Sequence, residues 1–160
     1  MERKMSYKNS ESGRSLIEVI GVMALGAIMI AGTFQVYSVM STRMKRMEVI
    51  EDMRDLAKNT KLLFSGRGSY NGVSIAYLIK AGALKTDRAP AIATEYNVRS
   101  ENDGAEFSIN LMGVRYNDCV WIAGAKIDFA IAIRTNDSVL GDAAENCRRG
   151  EENKVSIIAR

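Results

Sequence analysis

The chain has 160 residues, 47% hydrophobic and 26% charged, with a net charge of +3. That length suits one folded domain plus a short appended segment, and the composition excludes a wholly disordered chain. The basic excess is small and no Arg/Lys stripe is interleaved with aromatics, so nucleic acid is not an expected partner. With no histidine and only two cysteines, Cys119 and Cys147, four zinc ligands cannot be assembled.

The chain begins with a polar, basic stretch, MERKMSYKNSES, followed by GRSLIEVIGVMALGAIMIAG from Gly13 to Gly32. No charge falls between Glu18 and Arg43. Val19 to Thr42 is therefore an uncharged run of bilayer-spanning length. Arg3, Lys4 and Lys8 ahead of it predict a cytoplasmic N-terminus with the rest of the chain translocated. That compartment permits a Cys119–Cys147 disulfide. The run is long for a secretory signal, although Ala31-Gly32-Thr33 can be stretched to fit a cleavage site.

Glu18 is the anomaly. A lone charge inside a bilayer-spanning helix costs a few kcal/mol. Either the carboxylate sits at the headgroup boundary and reaches water, or it needs a cationic partner. Cleavage after Gly13 creates one, a new α-amino group on Arg14, one helical turn from Glu18.

Gly13-Arg14-Ser15-Leu16-Ile17-Glu18-Val19, followed by the apolar run, resembles the prepilin signal of type IV pilins. The resemblance implies a leader (1–13) removed after Gly13 by prepilin peptidase, a new and often methylated N-terminus at Arg14, and Glu18 as the fifth mature residue. It further implies that Glu18 pairs with the Arg14 amine of a neighbouring copy during filament assembly. The first mature residue of the family is usually phenylalanine or another apolar type; here it is Arg14. The partners so implied are copies of the chain itself, prepilin peptidase, the inner-membrane pilus assembly machinery, and the membrane through the N-terminal helix.

Beyond Val36 a helical pattern continues, with Val36, Met40, Met47, Ile50, Ala57 and Phe64 at three- or four-residue steps or their multiples. Charges fill the other faces, and Glu51–Arg54 and Asp55–Lys58 are placed to compensate one another. One long helix is predicted from about Leu16 to about Phe64, closed by Ser65-Gly66. Gly21, Gly26 and Gly32 are its weak points, each costing about 1 kcal/mol relative to alanine.

SGRGSYNG then reads as a loop. Ser74 is placed to cap a short helix carrying Ile75, Leu78 and Ile79, with Gly82 near its end. Tyr70, Gly72 and Ala81-Gly82-Ala83 resemble the segment after the spine in type IVb pilins of the thin-pilus (PilS-like) group.

The remainder reads as strands. Phe107, Ile109 and Leu111 alternate with Ser108 and Asn110, as in a half-buried strand. Ile127, Phe129, Ile131 and Ile133 form one face of a second strand, with Ala130 and Ala132 small enough to lie against the spine. VSIIA near the C-terminus is a third strand, and Thr94 to Arg99 a fourth. Asn117-Asp118 is placed to cap a short helix over Cys119 to Ala123, with Trp121 inward. By resemblance, Cys119 and Cys147 bound a variable surface loop.

No His-based triad, P-loop or dinucleotide fingerprint is present, so no enzyme is expected. No cofactor or metal is expected either. Asp137, Asp142 and Glu145 carry oxygen ligands without the EF-hand spacing. The expected fold is α+β, a long hydrophobic N-terminal helix packed on an antiparallel C-terminal sheet. Its parts would be a leader at 1–13, a membrane and filament-core half of the spine at 14–42, and a periplasmic or extracellular head at 43–160. The resemblance implies a structural subunit of a type IVb pilus, held in the bacterial inner membrane before assembly. Its rivals are a minor pilin, a type II secretion pseudopilin, and a signal-anchored periplasmic domain that never polymerises.

Overall fold

A computed structural model describes residues 11–138, 143–150 and 152–160; of residues 11–15 the backbone alone is described. The elements in chain order are α1 (Glu11–Phe64), α2 (Ile75–Lys80), β1 (Glu95–Glu101), a 3-10 turn (Asn102–Gly104), β2 (Glu106–Val114), α3 (Tyr116–Ala123), β3 (Ala130–Thr135) and β4 (Asn153–Ala159). Two compact units divide the chain, one ending at Arg43 and the other spanning Met44–Arg160.

The second unit is built on a four-stranded antiparallel sheet in the order β1-β2-β4-β3. One sheet face meets α1. Val49, Met53, Leu56, Ala57 and Phe64 of the helix are buried in one cluster with Val98, Phe107, Ile109, Leu111, Val155 and Ile157 of the strands. This α1 stripe differs from the expected one. Ala57 and Phe64 are in it, and Ile50 packs at its edge, but Met47 is 73% exposed. Val49, Met53 and Leu56 form the contact instead, at three- and four-residue steps. Thr60 lies in the same stripe, fully buried, and its hydroxyl donates to the Leu56 carbonyl (2.8 Å).

Strand β2 is buried on both faces rather than one. As a central strand it turns Phe107, Ile109 and Leu111 toward the helix and Ser108 and Asn110 to the opposite face. Those polar groups satisfy one another across the sheet. Asn110 Nδ2 donates to Asn97 Oδ1 and to Ser108 Oγ (3.0 Å each). Ser156 Oγ donates to Asn110 Oδ1 (2.6 Å), and Ser108 Oγ to Glu101 Oε1 (2.9 Å).

Two bulges set the register. In β2 the pairing slips between Leu111 and Val114, where Gly113 has φ +70° and the Thr94 side chain occupies the space its Cβ would take. In β3 it slips between Ala130 and Ala132. Ile131 is the extra residue, so the expected Ile127–Phe129–Ile131–Ile133 face is broken. Ile133 and Ala130 turn inward, Ile131 is 54% exposed, and Ala132 is exposed instead of lying against the spine.

The short helices follow from local chemistry. Ser74 is the N-cap of α2, its Oγ accepting from the Tyr77 N–H (3.2 Å). Gly82, at φ +75°, ends that helix, and the Ala83 N–H returns to the Leu78 carbonyl (2.9 Å). Helix α3 starts earlier than expected. Arg115 is its N-cap and makes no side-chain capping bond, while Asp118 lies in the first turn. Cys119 and Ile122 are buried, and Trp121 is half-buried.

Candidate functional site

The first unit is a helical stretch without a core. Leu16, Ile17, Ile20, Val22, Met23, Ile28, Met29 and Phe34 are all more than half exposed, and no side chain described in this unit is buried. By length and composition α1 could cross a membrane. The softer half of the run keeps its hydroxyls satisfied internally. Thr33 donates to the Ile30 carbonyl (2.8 Å), Ser38 to Gln35 (2.9 Å) and Thr42 to Ser38 (3.0 Å). Hydroxyl donors met from within the helix suit an environment without water.

Gly13 and Arg14 lie on the first turns of α1, and their side chains fall outside the described residues. Glu18 is exposed on the apolar surface, and no hydrogen bond or ion pair reaches it among the described residues. Arg14 and Glu18 stand four residues apart on one helix face.

In the second unit Cys119 and Cys147 are joined by a disulfide, with Cα atoms 6.0 Å apart. The bridge fastens α3 to the segment leading into β4. Asn153 locks the same segment from the other side. Its Nδ2 donates to the carbonyls of Val114 (3.2 Å) and Arg148 (3.1 Å), and its Oδ1 accepts from the Arg148 N–H (2.7 Å) and Asn136 Nδ2 (2.9 Å). Nothing in the spacing of the sequence singles out this buried asparagine. The expected variable loop therefore contains an edge strand and is fixed at its base. Asp137 is engaged with Lys154 (2.6 Å), Asp142 lies outside the described residues, and no metal-holding cluster occurs among the described residues.

The charges on α1 settle differently from their local pairing. Arg46 binds Asp118 at 2.9 Å, touches the Asn117 carbonyl (3.3 Å) and stacks 5.3 Å over the Trp121 ring. Arg54 reaches Asp128 (3.1 Å), 74 residues away, and not Glu51. Neither expected helix pair forms, so Glu48, Glu51, Asp52 and Asp55 have no ion pair among the described residues. Partial burial, then the nearby charges of Glu48, Asp55 and Glu51, hold the Asp52 carboxyl above its ordinary value of 3.8.

No family model and no curated protein sequence matches the chain. Among solved structures, the crystal structure of TcpA, a type IV pilin from Vibrio cholerae El Tor biotype, superposes with a TM-score of 0.58. The match covers 73% of this chain and 99% of that one, at 11% identity. The fold is that of a type IV pilin. A long N-terminal helix and a four-stranded antiparallel sheet are the shared features, and the correspondence is one of backbone rather than of side chains.

Proposed function

We propose that this chain is a pilin, the structural subunit of a type IVb pilus. It is made as a precursor, cleaved after Gly13 by prepilin peptidase, and held in the inner membrane with its N-terminus in the cytoplasm. The assembly machinery then moves it into a filament of its own copies. The observation that carries this reading is the apolar half of α1, which buries nothing within its own unit. At about 25 cal/mol per Å² of apolar area, enclosing that surface among like helices supplies the drive for polymerisation. Glu18 supplies register: an unneutralised carboxylate in an apolar bundle is tolerated where a neighbouring Arg14 amine meets it, and the pair contributes position more than net energy.

N-terminal sequencing and intact mass of protein from the native cell test the reading. A start at Arg14, and loss of surface filaments in Glu18→Lys, are expected. A chain that retains residues 1–13, or filaments that form normally in the variant, would overturn it.

A further inference from the structure

The second unit carries an acidic surface on α1 and a basic one away from it. On one flank stand Glu48, Glu51, Asp52 and Asp55, all exposed. Their nearest cations along the helix, Lys45 and Lys58, make no ion pair with them among the described residues, and Arg54 is drawn away to Asp128. Beside them lies a cleft of about 370 Å³, with Asp52 and Asp55 on one wall, Lys85 and Arg88 on the other, and Leu56 and Tyr96 within it. Neither Lys85 nor Arg88 is bonded to the two aspartates.

The second surface lies at the start of α3. Arg115, Tyr116, Asn117 and Arg149 line a recess that has no carboxylate among the described residues. Arg149 stacks 5.0 Å over the Tyr116 ring, and Arg115 and Arg149 are exposed. Arg46 ties this end of α3 to the spine through Asn117 and Asp118. Arg46 and Asp55 are nine residues apart, which at 3.6 residues per turn puts them about 180° apart around the helix. The acidic flank and the Arg46 contact with α3 therefore lie on opposite sides of the helix.

We propose that the Arg115–Arg149 recess of one copy docks on the Glu48–Glu51–Asp52–Asp55 flank of the next. The proposal rests on the filament reading and names the contact between heads. Two different patches that meet between copies form a heterologous contact, which can propagate from one copy to the next. A guanidinium stacked on an aromatic ring offers a cation with an apolar body, and the cleft offers carboxylates beside Leu56 and Tyr96. The neighbouring arginines would also offset the burial and then the nearby carboxylates that hold up the Asp52 carboxyl. Such pairing sets orientation and encounter rate and is weakened by salt.

The test uses the full chain in detergent micelles, where the apolar helix is covered and the heads remain free. Self-association is followed by sedimentation against ionic strength. Wild type should associate at low salt and dissociate as salt is raised. Asp52→Lys/Asp55→Lys should weaken association by about tenfold or more, as should Arg115→Glu/Arg149→Glu. An equimolar mixture of the two variants should recover it, because each then presents what the other lacks. Trp121 fluorescence and an intact disulfide confirm folding, and Asp52→Asn/Asp55→Asn replaces any reversal that misfolds. No association by wild type at low salt, reversals without effect, or no recovery in the mixture would each overturn the docking. Cleavage at Gly13 and dependence on Glu18 stand or fall separately, so failure here is distinguishable from failure of the filament reading.

Discussion

Replacing Cys119 and Cys147 together by alanine removes one covalent tie from the second unit. The bond closes a loop whose ends are 28 residues apart in sequence. The chain-entropy relation for such a loop gives about 3.6 kcal/mol of stabilisation at 25 °C. The unit from Met44 to Arg160 has 117 residues, and unfolding entropy near 2.1 cal/mol/K per residue corresponds to about 0.25 kcal/mol/K. The melting temperature should therefore fall by about 15 °C. Trp121 is the assay: it is the sole tryptophan, lies two residues from Cys119, and carries the Arg46 guanidinium over its ring. Its fluorescence against temperature, for the full chain in micelles, reads the unfolding of this unit. The loss should be similar when serine replaces the cysteines and when wild type is reduced, because the effect lies in the freedom of the unfolded chain. A fall below about 4 °C, or about 1 kcal/mol, would refute the reasoning. It would show that the unfolded chain is already restrained between α3 and β4, or that Asn153 and the strand pairing hold that segment without the bond.

Asn153→Ala deletes at least the four hydrogen bonds described at the base of the same loop and takes a donor from the buried Val114 carbonyl; a loss of roughly 2–4 kcal/mol by denaturant titration is expected, and a loss under about 1 kcal/mol would show that water replaces the side chain. Gly113→Ala puts a methyl group onto the Thr94 hydroxyl at a φ of +70° and should cost roughly 2–3 kcal/mol; adding Thr94→Ala should recover part of that, and no recovery would place the whole cost in the backbone. Asp52 has a folded-state pKa raised above 3.8, so its contribution to stability is fully present below about that pH and is lost as pH rises through the raised value. Its ionised form is then a net cost at neutral pH, screened by water to roughly a few tenths of a kcal/mol. Asp52→Asn should melt slightly higher than wild type at pH 7 with the gain vanishing below about pH 4, and a lower melting point at pH 7 would contradict the cost that burial and then the neighbouring carboxylates place on the charge.

Signals confined to neighbouring residues were legible in the sequence, and those decided by distant partners were not. The spine was visible because an uncharged run merges into a helical pattern and Ser65-Gly66 stops it; α1 ends at Phe64. Ser74 and Gly82 announced α2 because capping is a contact within one turn. The buried stripe of α1 was harder to place, since apolar residues continue from the membrane-like half onto every face. Which of them become core depends on where the sheet docks, and Val49, Met53 and Leu56 took the place of Met47. Alternation in β3 misled for a related reason. A single extra residue at Ile131 reverses which side chains face inward, and no turn signal accompanies it.

The charges on α1 carry the same lesson into function. Spacing pairs Arg54 with Glu51, but the guanidinium reaches Asp128 Oδ1 through two nitrogens, and an exposed helix pair is worth only a few tenths of a kcal/mol, about the worth of any exposed ion pair, so spacing alone does not decide between them. Each arginine that leaves the helix for a distant carboxylate strips the acids beside it of compensation. Arg54 does so, toward Asp128. The flank that holds Glu48, Glu51, Asp52 and Asp55 thus loses its nearest arginine to the ion pair that fastens the residues before β3 to the spine. Four adjoining carboxylates without an ion pair among the described residues leave that flank open to a cation from outside the head. The proposed source of that cation is the Arg115–Arg149 recess of the next copy, which carries the opposite charge.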